Sequence, residues 1–270
     1  MKQIITALML FVLAHSAIAG QEFPGRIKYP HVPYIEIDEL YKSLDNSVVI
    51  DARSVYEYQT LRIKNAISVP LSLSSKKFQS KMLQIRAENP TKKLVFYCNG
   101  HTCMKSYKAV RRSINYVGLK NVFAYDTGIF DWAKKYPAEA ELLDKTLTDP
   151  AQLISKSDFK EHLIDAEKFI TTANKSTTIL DIRNRVERDG FYIFSGDEES
   201  IGLNKRNKLN KFLDKVSHDN KTLYVYDLVG KQVRWFQYHL EAKNIKNYYF
   251  MKGGAEAFFK IPINHLMDKS

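Results

Sequence analysis

Two apolar patterns alternate along the chain. Unbroken apolar runs of strand length occur at Val48-Val49-Ile50 before Asp51 and at Leu94-Val95-Phe96-Tyr97 before Cys98. They occur again at Ile179-Leu180 before Asp181 and at Leu223-Tyr224-Val225-Tyr226 before Asp227. Such runs, with no polar residue at alternate positions, predict strands buried on both faces. Amphipathic stretches with helical spacing lie between them; residues 106–116 and 232–242 are two, each directly after a strand and a loop. Strands separated by helices predict an α/β fold, with parallel sheets flanked by helices.

The pattern repeats. Asp51-Ala52-Arg53 returns as Asp181-Ile182-Arg183, 130 positions on (181 − 51), and each is followed by a Val and Glu pair. The strand ending at Cys98 returns as the strand ending at Asp227, an offset of 129 (227 − 98). Lys120-Asn121-Val122 returns as Lys246-Asn247-Tyr248, and Gly128 with Trp132 returns as Gly254 with Phe258, both at 126. Four landmarks in the same order predict an internal duplication. The expected domains are residues 32–148 and 151–270, with a linker near Thr148-Asp149-Pro150. Residues 35–44 open the first and residues 155–173 the second.

The N-terminus adds an address. Lys2 is followed by an apolar run from Ile4 to Leu13 and then Ala17-Ile18-Ala19. That order reads as a cleavable secretory signal over residues 1–19, too short for a membrane span of about 20 apolar residues. The expectation is a secreted, periplasmic protein with no stable membrane insertion after signal cleavage. The formal charge is +11. Split at Asp149/Pro150 and leaving out Lys2, it resolves into 20 basic against 14 acidic residues, then 20 against 16. An excess spread so evenly reads as a lysine-rich solvated surface that attracts small anions, with no nucleic acid expected as partner.

There are two cysteines, Cys98 and Cys103. A bridge closing so short a loop adds little stability, since the entropic effect grows with loop length. Their proximity points to chemistry.

Both halves resemble the rhodanese-like (thiosulfate sulfurtransferase) family. The resemblance rests on Asp51-Ala52-Arg53 with Glu57, on Asn65-Ala66-Ile67-Ser68-Val69-Pro70, on the strand ending at Cys98, and on Gly128 with Trp132. It implies two rhodanese-like domains, each a parallel five-stranded sheet flanked by helices. It also implies sulfur transfer through a persulfide on Cys98, with no cofactor and no metal. The expected partners are a small anionic sulfur donor and a thiol acceptor, a protein thiol included. The chain looks like a tandem-domain secreted member with a Cys-x4-Cys active loop, Cys98-Asn99-Gly100-His101-Thr102-Cys103. It departs from the family pattern at Cys103, where an arginine is common, and at Arg62, where histidine is usual. The arginine that binds thiosulfate in some tandem members falls at Glu57.

The residues themselves support that chemistry. Cys98 ends a buried strand, and ligands of open parallel sheets bind beyond the carboxyl ends of strands. Asn99, Gly100, His101 and Thr102 then form a polar turn into a helix, whose backbone N–H groups favour an anion. Such a setting lowers a thiol pKa and supports a thiolate nucleophile, with Lys105 adding positive charge. Asp51 and Arg53 are a structural motif, and Arg62 is grouped with the substrate-binding positions. Cys103 has three readings: a thiol that resolves a persulfide on Cys98, a second sulfur carrier, or half of a simple loop disulfide. Two other functions compete. Cys98, His101 and Cys103 have the residue types of a copper or zinc module, and a thiol–disulfide redox protein would also use two cysteines. In the second half Asp227 stands where Cys98 does, which predicts a non-catalytic domain.

Overall fold

The structure is a computed structural model that describes residues 23–173, 177–219 and 221–262. The expected signal over residues 1–19 lies outside the described residues. The chain divides into two units between Gln152 and Leu153. Among the described residues no helix is long and apolar enough to cross a membrane.

The first unit runs α1 (Pro24–Lys28), α2 (Ile37–Lys42), β1 (Ser47–Asp51), α3 (Val55–Thr60), β2 (Leu61–Ile63), β3 (Ile67–Ser68), α4 (Ser75–Glu88), β4 (Lys93–Tyr97), α5 (Lys105–Asn115), β5 (Val122–Tyr125), α6 (Ile129–Lys135), β6 (Ala140–Leu142) and β7 (Lys145–Thr146). Its main sheet is parallel, in the order β3-β1-β4-β5. Leu94, Val95, Phe96 and Tyr97 of β4 have no exposed surface, because β1 and β5 flank the strand and helices cover its faces. Burying each such side chain contributes about 1.5–3 kcal/mol, so the unbroken apolar run is what holds β4 at the centre. The core around it gathers Phe78, Met82 and Ile85 of α4 with Tyr107, Ala109 and Val110 of α5.

The expected fifth strand of this sheet is reduced to one parallel bridge, Tyr34 to Ala124. Pro33 precedes Tyr34, and a proline has no N–H to give a ladder. Its carbonyl still accepts from Ala124 N–H at 2.9 Å, and Ile35 N–H donates to Ala124 O at 2.9 Å. A small antiparallel sheet, β2-β6-β7, was not foreseen from the sequence.

The second unit runs α7 (Lys156–Glu161), β8 (Leu163–Ile164), α8 (Ala166–Thr172), β9 (Thr178–Asp181), α9 (Arg185–Arg188), β10 (Glu199–Ser200), α10 (Arg206–Asp219), β11 (Leu223–Tyr226), α11 (Val233–Ala242), β12 (Tyr248–Met251) and α12 (Gly254–Phe258). Its sheet has five parallel strands in the order β10-β9-β11-β12-β8. Several bonds of the first unit recur here. Arg53 N–H donates to Asp51 Oδ1 at 2.8 Å, and Arg183 N–H to Asp181 Oδ1 at 2.9 Å. Ala52 N–H donates to Tyr97 O at 3.1 Å, and Ile182 N–H to Tyr226 O at 3.0 Å.

Candidate active site

The order β3-β1-β4-β5 means that the chain crosses from β1 to one side for β3 and to the other for β4. A crevice opens at such a switch point, beyond the carboxyl ends of the two central strands. Cys98 leaves β4 there, and Asp51, Ala52 and Arg53 leave β1 beside it. Asp51 and Arg53 are buried and ion-paired, with Arg53 Nη2 donating to Asp51 Oδ2 at 2.6 Å. The same guanidinium reaches the loop, donating from Nη1 to Asn99 Oδ1 at 3.2 Å.

Asn99 is held from two sides. Its Nδ2 donates to Glu57 Oε1 at 2.9 Å. Glu57 sits in the first turn of α3, in a capping box with Ser54: Ser54 N–H and Oγ–H donate to Glu57 Oε2 at 3.0 and 2.8 Å. Lys105, the first residue of α5, brings Nζ to 3.5 Å from the same oxygen. Burial works against the Glu57 carboxylate. Arg53, Lys105, the Asn99 amide and the Ser54 N–H outweigh it and hold its pKa below the usual carboxylate range.

The rest of the loop is tethered elsewhere. Ile129 N–H donates to Cys98 O at 3.0 Å, and Cys103 N–H to Gly100 O at 2.8 Å, which closes a turn. Gly128 has φ +83°, and a Cβ there would collide with the Asn99 and Gly100 backbone, so only glycine lets the two segments meet. His101 Nε2 is 2.8 Å from Asp131 Oδ2 of α6, and its ring stacks on Phe23 at 4.3 Å between centroids. Phe23 is positioned by the next segment: Arg26 of α1 donates to both Asp126 oxygens at 2.9 and 3.1 Å, and Tyr107 Oη–H to Asp126 Oδ2 at 2.6 Å.

Cys98 and Cys103 are joined as a disulfide, with Cα atoms 6.3 Å apart. Cys98 is fully buried, while Cys103 is half-buried beside the exposed Thr102. In this state neither sulfur is a thiolate ligand. Among the described residues no group of three or more His, Cys, Asp and Glu could hold a metal ion.

The fold thus brings Cys98, Asn99, Gly100, His101, Cys103, Lys105, Asp51 and Arg53 to one strand-end crevice. Among the described residues the Arg62 guanidinium pairs elsewhere, with Glu141 of the small antiparallel sheet and with Asp144 of its turn, the latter at 2.8 Å. Those two acids come from β6 and the turn after it, so a strand pairing not foreseen in the sequence redirects this arginine. Sequence reasoning missed Asp131 and Phe23, and assigned Glu57 no role in holding the loop.

The second unit carries a counterpart. Gly254 has φ +62° and lies against Asp227 O and Gly230 N, as Gly128 lies against Gly100. The Asp227 carboxylate turns into its own loop, accepting from Gly230, Gln232 and Val233 N–H. Burial raises its pKa, and those N–H groups oppose the rise.

A family model described as a rhodanese-like domain matches residues 36–135. That span contains Cys98, its loop, and the Asp51, Arg53 and Glu57 groups that hold it. Over 107 residues the chain is 31% identical to a tRNA uridine(34) hydroxylase of Photorhabdus laumondii, covering 38% of this chain and 28% of that protein. A protein of the same name from Hamiltonella defensa is 30% identical over 99 residues, covering 37% and 26%. The chain therefore spans about a quarter of the length of these relatives. Among solved structures, an As-Sb reductase from Leishmania major aligns with a TM-score of 0.37 and 21% identity, over 42% of this chain and 86% of that one. A thiosulfate sulfurtransferase from Pseudomonas aeruginosa aligns with a TM-score of 0.35 and 20% identity, over 88% and 46%.

Proposed function

We propose that the protein is an exported, periplasmic sulfurtransferase of rhodanese type, with Cys98 as its sulfur carrier. One observation carries the reading: Cys98 leaves the central strand at the switch point of a parallel sheet and enters a tethered loop ahead of an 11-residue helix. A thiol there stands ahead of the N-terminus of α5, whose positive end favours the thiolate. It accepts the sulfane sulfur of thiosulfate, or of a persulfide or polysulfide, forming an S–S bond and releasing the donor's remainder. A thiol or cyanide then takes the outer sulfur and returns Cys98 to the thiolate.

The two halves have different duties. Asp227 cannot carry a persulfide, and its carboxylate already occupies the loop N–H groups that an anion would use. The second unit therefore acts as a non-catalytic partner. The hydroxylase reaction in the relatives' name is not carried over, because the chain matches only about a quarter of their length.

The test is sulfur transfer from thiosulfate and from polysulfide to cyanide by the reduced full chain. Wild type should turn over, and Cys98→Ser should lose the activity, since an alcohol is not ionised near neutral pH. Cys103→Ser should still load sulfur. Transfer by Cys98→Ser at the wild-type rate would overturn the assignment.

A further inference from the structure

The two ends of the Cys98–Cys103 bridge are not equivalent. Cys98 has no exposed surface. Its Sγ lies 3.1 Å from the Cys103 carbonyl oxygen and 3.9 Å from Oγ of Ser106, which is itself fully buried in the first turn of α5. Cys103 is half-buried, between the exposed Thr102 and the half-buried Met104. Thiol–disulfide exchange begins when a thiolate attacks one sulfur, and access decides which. The attacker must approach in line, from the side opposite the leaving sulfur. For Cys98 that side is the packed junction of β4 and α5. Cys103 keeps exposed surface next to the exposed Thr102, so access favours attack on it.

We infer that the bridge opens by attack of a small-molecule thiolate on Cys103, so that Cys103 is the entry point for reductant and Cys98 the thiolate released beneath it. This rests on the reading of Cys98 as the sulfur carrier. In the first step a new S–S bond forms between the incoming sulfur and Cys103 Sγ, the Cys98–Cys103 bond breaks, and its electron pair stays on Cys98. A second small thiolate attacks the outer sulfur of the mixed disulfide: a bond forms between the two small-molecule sulfurs, the bond to Cys103 Sγ breaks with its electron pair staying on Cys103, and the two small molecules depart joined as a disulfide. While the bridge is closed no sulfur donor reaches Cys98, so the supply of small thiol sets how much protein is competent to load.

Glutathione is a suitable probe, with the oxidised full chain. Brief exposure followed by alkylation traps the mixed disulfide, and fragmentation of the tryptic peptide spanning residues 94–105 locates it. The glutathione adduct on Cys103 should exceed that on Cys98 by at least about tenfold, the alkylated thiol being Cys98. A second arm avoids the short life of that species. Cys98→Ser and Cys103→Ser variants are each loaded as the mixed disulfide with thionitrobenzoate, and its release by glutathione is timed by absorbance. Release from Cys103 should be at least about tenfold faster than from Cys98. Equal rates, a majority adduct on Cys98, or two free thiols in protein isolated without reductant would each overturn the inference. Neither arm uses a sulfur donor, so a failure of Cys98 to load sulfur would leave these results intact and be seen separately.

Discussion

Replacing Glu57 with alanine should loosen the first unit through the loop it anchors. The carboxylate is 2% exposed and accepts from Ser54 N–H, Ser54 Oγ–H and Asn99 Nδ2–H. Loss of a helix N-cap partner costs about 1 kcal/mol, and loss of a hydrogen bond to a charged group about 1.5–3 kcal/mol. The Lys105 pair adds little, because that side chain is 42% exposed. Removing the charge also relieves its burial cost, which offsets part of the sum. The net expectation is a loss of about 3 kcal/mol, roughly a hundredfold in the folding equilibrium. Arg53 keeps Asp51 as its partner, so the variant should still fold. Urea unfolding read by Trp132 alone, in a Trp235→Phe background, reports the first unit without the second, since the chain has two tryptophans. Glu57→Gln, which keeps an acceptor for Asn99, should lose about half as much. A loss below about 1 kcal/mol for Glu57→Ala would refute the claim that this carboxylate holds the loop.

Three further outcomes are expected. Because the folded-state pKa of Glu57 is depressed, its stabilisation is present above the unfolded value near 4.5 and is lost as pH falls through the lower folded value. Thermal unfolding of wild type should therefore weaken below about pH 4.5 more steeply than that of Glu57→Gln, and parallel curves would contradict it. Gly128→Ala should cost at least about 1–3 kcal/mol by the Trp132 signal, since it combines positive φ with a collision against the Asn99–Gly100 backbone; a neutral result would show that the two segments part easily. Asp227→Ala leaves three N–H groups of its loop without their acceptor, so the second unit should lose about 2–3 kcal/mol by the Trp235 signal while sulfur loading on Cys98 is unchanged.

The strands and main helices were readable because burial dictates their composition. The apolar run Leu94 to Tyr97 became β4, and the helices expected over 106–116 and 232–242 begin and end within a residue of α5 and α11. The Asp-x-Arg pairs were readable because the two residues bond each other locally. Contacts between distant elements left no such trace. His101 meets Asp131 and Phe23 only because α6 and the segment before α1 converge on the loop, and no spacing in the sequence encodes that. The bond from Asn99 to Glu57 is of the same kind, since it joins residues 42 apart on different elements. The fifth strand that the resemblance implied for the first sheet is a single bridge at Tyr34, because the proline before it has no N–H to give a ladder. Asp227 reads as a missing thiol; its service as acceptor for its own loop depends on backbone directions that composition does not carry.

The most direct test is peptide-level mass analysis of the reduced full chain after incubation with polysulfide, with residues 94–105 recovered on one peptide. The account predicts a gain of one sulfur atom located on Cys98, absent in Cys98→Ser and retained in Cys103→Ser. A gain located on Cys103 alone, or one that persists in Cys98→Ser, would contradict it.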